Sequence, residues 1–393
     1  MKPAIVAVGY NRPNDLKRLL ATIGSAEYDS SDITLVISLD KATNEDEVLS
    51  VANEFEWKHG EKIIRTFPER QGLRRHVLQC GDLSEQYGAV IVLEDDLMVS
   101  PAFYRYVVKA LEYYKDEPSV SGVALYSHEW SEFASRSFTP VADDYDTYLG
   151  QFSITWGQCW TDKWWKAFKA WYYEHEDKLG TNPDIPMAIN HWSGQSWGRY
   201  FVNYIVEKDL YYVIPRIALS TNCSDVGQHA READTAYQVR LLAVGDKEYK
   251  FAPADKACRY DIFFENKRLA EYLPSDIVAE GVCINLAGIS RGFEKYRYVL
   301  TTSDLPYKTV RTWGLLLRPV DMNIIVGTEG SEIKLYDTTV PEKCTTDHSY
   351  LVIKYESRGL NYRQVGKLEK ELLLRAAKGK IKRTLKKLFK KKK

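Results

Sequence analysis

The sequence predicts an α/β protein built on a mostly parallel sheet flanked by helices, with a small β-rich C-terminal appendage and a basic amphipathic tail. Three observations carry this expectation. Over the first 125 residues, short apolar runs alternate with stretches of helical periodicity. Each repeat has the length of a β-α-β unit, the arrangement that builds a parallel sheet covered on both faces. Several apolar runs end on polar or acidic residues, at the edge where such sheets bind ligands.

The elements follow in order. Ala4 to Val8 is a short strand broken by Gly9-Tyr10-Asn11-Arg12-Pro13, and Leu16, Leu19, Leu20 and Ile23 then fall at helical spacing. Ile33 to Ser38 is the second strand, ending in Leu39-Asp40, and Lys62 to Phe67 is the third. Leu73, Val77 and Leu83 mark a further helix. Ala89 to Leu93 is a strongly apolar strand ending in Glu94-Asp95-Asp96. Pro101 opens a helix with Phe103, Val107, Ala110, Leu111 and Tyr114 on one face, and Ser119 to Tyr126 is another strand. From about Tyr148 to His229 tryptophan-rich helices take over, with Trp160 and Trp164 expected i,i+4 on one helix face. Beyond Pro253, Trp313–Leu317, Met322–Val326, Glu332–Tyr336 and Tyr350–Tyr355 look like short strands, with residues 327–330 as a turn. The expected organisation is a main domain over 1–250, with halves at 1–125 and 126–250, a β-rich domain over 251–360 and a tail over 361–393.

Composition sets the outer bounds. A chain of 393 residues is long for one compact domain. With 45% apolar and 27% charged residues it is not wholesale disordered. The six cysteines form no CxxC pair, which argues against a disulfide framework or a structural zinc site. Met1-Lys2-Pro3 runs straight into the first strand and no apolar stretch approaches membrane-spanning length, so a cytoplasmic protein is expected. The net charge of zero hides an asymmetry. Residues 378–393 hold ten Lys/Arg and no acid, leaving a net −10 on the remaining 377 residues. An acidic body argues against nucleic acid as a partner, and the tail suits an anionic surface. In the tail, Ile381, Leu385, Leu388 and Phe389 form one helical stripe among lysines, the pattern of a helix lying in a membrane interface. The expectation is a peripheral protein on the inner face of the membrane.

Neither GxGxxG nor GxxxxGK[ST] occurs, so dinucleotide-binding and P-loop readings fall away. The strand-end rule picks out Asn11, Arg12, Asp40, the arginines Arg65, Arg70, Arg74 and Arg75, and above all Glu94-Asp95-Asp96. Three adjacent acids repel and raise one another's proton affinity, which a divalent cation relieves. Oxygen ligands select Mg²⁺ or Mn²⁺, ions that also take up phosphate oxygens. A solvated acidic turn is the plain alternative. The arginines offer forks that match a diphosphate, Asp40 is placed for a base or ribose contact, and any of them also reads as an ordinary surface charge or turn.

These residues carry a resemblance. Residues 90–103, Val-Ile-Val-Leu-Glu-Asp-Asp-Leu-Met-Val-Ser-Pro-Ala-Phe, resemble the strand, acidic triplet and following helix of nucleotide-sugar glycosyltransferases with a GT-A fold. The likeness is to the N-acetylglucosaminyltransferase I type and to bacterial relatives that build surface polysaccharides. Residues 7–13, Ala-Val-Gly-Tyr-Asn-Arg-Pro, are similar to the first strand and turn of family-two-like glycosyltransferases, and residues 151–168 resemble the group's acceptor-side segment. The resemblance implies that Asp96 coordinates Mn²⁺ or Mg²⁺. It implies further that Glu94 and Asp95 help hold ribose and sugar, that Asp40 contacts the base, and that a sugar passes from a nucleotide-diphosphate donor to a glycan or lipid-linked acceptor, with inversion. Enzymes of this type carry an Asp base near a tryptophan, where this chain reads Gln195-Ser196-Trp197-Gly198-Arg199. Asp184, Asp225 and His229 are the candidates for that role, with His191 nearby; Glu129, Trp156 and Trp197 are the acceptor-side candidates. A non-catalytic sugar-nucleotide or glycan-binding protein is the alternative, and a metal-dependent nuclease a weaker third.

Overall fold

The computed structural model describes residues 1–152, 154–224, 235–344 and 347–358, together with Lys370, Leu374, Ala377 and Ile381. The first half alternates as its apolar runs require: β1 (Ala4–Gly9), α1 (Pro13–Gly24), β2 (Leu35–Leu39), α2 (Glu45–Glu54), β3 (Lys62–Thr66), α3 (Leu73–Gly81), α4 (Ser84–Tyr87), β4 (Ala89–Glu94), β5 (Leu97–Val99), α5 (Phe103–Tyr113) and β6 (Val120–Ala124). Pro13 opens α1, where its missing N–H costs nothing. Glu45, Asp46 and Glu47 occupy the first turn of α2, where the helix dipole favours acids.

The second half contributes a small hairpin, β7 (Trp130–Ser131) and β8 (Arg136–Ser137), then β9 (Thr147–Gly150), β10 (Gln158–Thr161), α6 (Asp162–His175), α7 (Met187–Asn190), α8 (Trp197–Glu207), β11 (Tyr211–Pro215), β12 (Ser220–Asn222) and β13 (Arg259–Tyr260). One nine-stranded sheet runs in the order β13-β9-β11-β6-β10-β4-β1-β2-β3. Parallel pairing joins β3, β2, β1 and β4, and again β6 and β11, while β10 lies antiparallel between β4 and β6. The central strands are buried on both faces, which explains their unbroken apolar runs. Ile5, Ala7, Ile91 and Leu93 face one core with α1 and α5. Val6, Val8, Val90 and Val92 face the other, with Trp165, Phe168, Tyr200 and Phe201 of α6 and α8.

The C-terminal unit holds α9 (Ser275–Ala279), β14 (Val282–Asn285), β15 (Tyr298–Thr301), β16 (Tyr307–Trp313), α10 (Asp321–Val326), β17 (Ile333–Pro341) and α11 (Ser349–Glu356). Its sheet runs β14-β15-β17-β16 around its own core, which includes Leu269, Leu300, Trp313 and Leu335. Four expectations change here, the first being Trp313–Leu317: Trp313 ends β16, and residues 314–317 belong to no strand. The boundary at 250 moves past residue 260, because Phe251, Ala252, Ala254 and Ala257 pack into the main core and β13 joins the main sheet. Met322–Val326 and Tyr350–Tyr355 lie in helices rather than strands. Their Val/Ile content mimics a strand, but buried Asn323 fixes α10 against the preceding loop, accepting from Leu316 and Leu317 N–H at 2.8 Å and donating to the Leu317 and Val320 carbonyls at 2.9 Å. Trp160 belongs to β10, so it shares no helix face with Trp164.

Candidate functional site

Six strands of the main sheet (β1, β2, β3, β4, β6 and β11) send their carboxyl ends to one edge. Antiparallel β10 begins at that same edge. The edge therefore gathers Tyr10–Arg12 after β1, Asp40 after β2, Arg70 after β3, Glu94–Asp96 at the end of β4, Tyr126–Glu129 after β6, and Trp156-Gly157 before β10. Gly157 takes φ +98°, and a Cβ there would press to 2.9 Å on Ser220 Oγ, so only glycine lets this turn close.

The acid triplet is the most strongly charged feature of this edge. Asp95 is only 4% exposed. The Arg12 guanidinium donates to Asp95 Oδ1, stands 3.6 Å from Asp96 Oδ2, and reaches Asp15 at 3.4 Å. Arg12 thus serves three carboxylates, and Arg18 also reaches Asp15 at 3.8 Å. Burial pushes the Asp95 carboxyl up to about 6, with Arg12 opposing. Burial, then the charges of Asp96 and Asp95, raise Glu94 well above the usual carboxylate range. Asp96, at the rim, is held by its backbone: its carbonyl accepts Cys223 N–H at 2.8 Å, and β5 pairs with β12 alongside. Among the described residues, no three of His, Cys, Asp and Glu converge as a metal cage. The donors suit instead a hard ion held by one carboxylate and completed by phosphate oxygens and water.

The donor-side expectations divide. Arg70 is exposed and stacks over the Tyr10 ring at 4.7 Å, beside Asn11 and Arg12. Asp40 is corrected: its oxygens accept the backbone N–H groups of Lys41 (2.8 Å), Gln71 (2.6 Å) and Gly72 (2.9 Å), so it shapes the β3–α3 loop instead of facing a base. Arg74 is corrected too. It donates to Asp177 (2.9 Å), the Gly194 carbonyl (2.8 Å) and Tyr200 Oη (3.0 Å), which commits it to bracing α3 against the second half. Arg65 donates to Gln79 and lies against Phe67.

On the acceptor side, half-buried Trp156 stands against Tyr126 (4.8 Å) and Tyr237 (4.7 Å), an aromatic wall at the start of β10. Glu129 lies at the same edge, paired with exposed Arg240. Trp197 does not: at 2% exposure it meets Trp160 edge-to-face at 5.5 Å inside the core, because α8 turns this side chain toward the sheet. Asp184 sits on an exposed loop, turned by Asn182 and paired with Lys295 of the C-terminal unit at 3.2 Å; no contact joins it to the triplet. Asp225 and His229 lie outside the described residues.

His128 escaped the sequence reading. It is buried beside Phe152, Trp156 and Phe264; burial lowers it to about 3, and Nδ1 has no partner. Its only sequence signal was its place two residues after Tyr126, at the end of a strand. The two sides are close. Gln158 pairs with Val92 of β4 and with Ala124 of β6, so those two strands lie about 10 Å apart with β10 between them.

A scan against protein-family models and a search of curated proteins each found no match. Among solved structures, the chain is similar to residues 1–349 of TarS from S. aureus in complex with UDP-GlcNAc, at 12% identity and a TM-score of 0.37, over 60% of this chain and 62% of that one. The same fragment in complex with UDP gives 12% identity and a TM-score of 0.34, over 56% and 60%. The longer TarS structure gives 10% and 0.32, over 56% and 36%. The chain thus matches less than two thirds of the length of each. An overlap this loose leaves the functional reading to the residues themselves.

Proposed function

We propose that this chain is a metal-dependent glycosyltransferase that moves a sugar from a nucleotide-diphosphate donor to a glycan or lipid-linked acceptor in surface-polysaccharide synthesis, with inversion. The observation that carries the reading is the under-neutralised triplet Glu94–Asp96 on a parallel sheet's carboxyl edge, which also bears the aromatic wall at Trp156. Asp96, half-buried at the rim, would hold Mn²⁺ or Mg²⁺, and the ion would supply positive charge for the departing diphosphate. Arg12 fixes the triplet, and Arg70, stacked on Tyr10 at the same edge, carries a guanidinium of the kind that matches phosphate oxygens. The acceptor class follows the resemblance of residues 7–13 and 90–103 to polysaccharide-building enzymes.

Glu129 takes the place of the missing base. Among the described carboxylate candidates it is the one that follows β6 at the edge that bears the triplet. In a direct displacement the acceptor hydroxyl gives its proton to Glu129 as its oxygen bonds to the anomeric carbon. The bond from that carbon to the diphosphate oxygen breaks, and its electron pair leaves with the diphosphate. Attack from the face opposite the leaving group inverts the configuration.

The test is release of nucleoside diphosphate from a panel of sugar nucleotides with Mn²⁺, with EDTA, and in D96A. Slow metal-dependent hydrolysis of one donor, lost in D96A, supports the reading. Binding without hydrolysis or transfer would make the chain a sugar-nucleotide-binding protein instead. Hydrolysis indifferent to EDTA and to D96A would overturn the role of the triplet.

A further inference from the structure

Apart from Ile381, the expected stripe of residues 378–393 lies outside the described residues; the C-terminal unit before it carries a set of side chains that the sugar chemistry leaves unused. β15 runs antiparallel to β17 with Thr301 opposite Lys334, so the loop that leaves β15 meets the turn that enters β17. Asp304 stands in that loop, Ser331 in that turn, and His348 arrives from the position just before α11. The turn is pinned: Thr328 Oγ1 donates to the Gly314 carbonyl at 3.1 Å, and a Cβ on Gly330 would stand 2.3 Å from Gly314 Cα. Ser331 is exposed, its N–H donates to Glu332 Oε2 at 3.0 Å, and its Oγ lies 3.2 Å from His348 Nε2. Across the ring, Nδ1 lies 3.1 Å from Asp304 Oδ1, while the His348 backbone N–H donates to Asp304 Oδ2 at 2.6 Å. Buried Lys334 also donates to Asp304.

Asp304 decides the tautomer. Burial alone would raise its carboxyl, but hydrogen bonds from Lys334 and His348 outweigh it and hold the group down at about 2. An ionised carboxylate only accepts, so in the neutral ring Nδ1 carries the proton and Nε2 presents its lone pair to the serine hydroxyl.

We infer that Ser331, His348 and Asp304 form a second active site, one that cleaves carboxylic esters through an acyl-serine. The roles follow from the contacts. Ser331 Oγ bonds to the ester carbonyl carbon while its proton passes to His348 Nε2. His348 gives that proton to the alkoxide oxygen as the bond from that oxygen to the carbonyl carbon breaks, which leaves the acyl group on Ser331. Water then gives a proton to Nε2 and its oxygen bonds to the acyl carbon. The serine oxygen departs, takes the proton back, and a carboxylic acid is released. Asp304 is the positioning residue, holding the ring and balancing its charge while it is protonated. The site shares no residue with the edge that bears the triplet, so the inference goes beyond the proposed sugar transfer and does not depend on it.

An aryl acetate ester and a fluorophosphonate test it on the full chain, with the modified residue located by mass spectrometry of peptides. The account predicts an acetyl or phosphonyl adduct on Ser331, absent in S331A, whose melting temperature and nucleotide binding stay unchanged. H348Q should slow adduct formation by at least about 100-fold. D304N, whose amide donates to Nδ1, should slow it as well and move the His348 ring proton to Nε2 in nitrogen NMR spectra, the signature of a residue that acts through the ring. An adduct spread over lysines and other histidines, no adduct on Ser331, or one formed as fast in H348Q, overturns the inference.

Discussion

Two groups of buried carboxylates sit in this molecule, and they are solved differently. At the junction with the C-terminal unit, Asp261 Oδ1 accepts the N–H groups of Phe263 and Glu265 at 2.9 and 3.0 Å, and Glu265 Oε1 accepts Ala287 N–H at 2.8 Å. Burial pushes Asp261 up to about 6. Burial, with the charges of Asp261 and Asp321, pushes Glu265 up to about 8. These acids spend their oxygens on the chain and hold two units together. The triplet at Glu94–Asp96 is equally crowded, yet its side chains have one guanidinium among them and a half-buried member at the rim. Burial and raised proton affinity are therefore common to both; what marks a binding site is the want of internal partners at an open edge.

The sharpest break between the two groups is catalytic. D96A should lower donor hydrolysis by at least about 100-fold, the scale of losing charge stabilisation for a leaving group, while its melting temperature stays level or rises. E265A should do the reverse. It leaves Ala287 N–H buried without an acceptor, at a cost of about 1–3 kcal/mol, read as a lower denaturant midpoint with nucleotide binding unchanged.

Between the tryptophans the same contrast recurs. W197A empties a core position and should cost about 3–5 kcal/mol of stability. W156A should leave stability within about 1 kcal/mol and raise the KM for acceptor several-fold.

The last contrast is in pH. Folded Glu265 keeps its proton to about pH 8, whereas the unfolded chain releases it near the ordinary 4.5. Folding thus takes up a proton across that window, and stability from this group falls as pH rises through it. E265Q keeps the acceptor oxygen and cannot ionise, so it should melt with wild type near pH 4.5 and several degrees higher near pH 8.5. Equal melting at both would show that Glu265 ionises normally.

Much of this was legible in the sequence, for physical reasons. β1, β2 and β4 are buried on both faces, so they appear as unbroken apolar runs, and the acids ending β4 mark where the strand leaves the sheet. The pairing of Arg12 with Asp95 spans 83 residues and depends on β1 lying beside β4, which no local pattern shows. Asp40 and Asp96 look alike as acids after a strand. Only the folded β3–α3 loop, with Gly72 at φ +73°, reveals that Asp40 is already occupied. Trp156 and Trp197 both precede a glycine in the sequence, and their fates separate because one lies in the loop before a strand at the edge while the other starts a helix turned inward. Met322–Val326 and Tyr350–Tyr355 resemble strands through their Ile and Val content, and the contacts of Asn323 with residues 316–320 that fix α10 exist only in three dimensions.

Titration of a nucleoside diphosphate into the full chain at neutral pH, with Mn²⁺ and again with EDTA, tests the central claim most directly. The account predicts at least tenfold tighter binding with the metal and no such gain in D96A. Equal affinity with and without Mn²⁺ would contradict it.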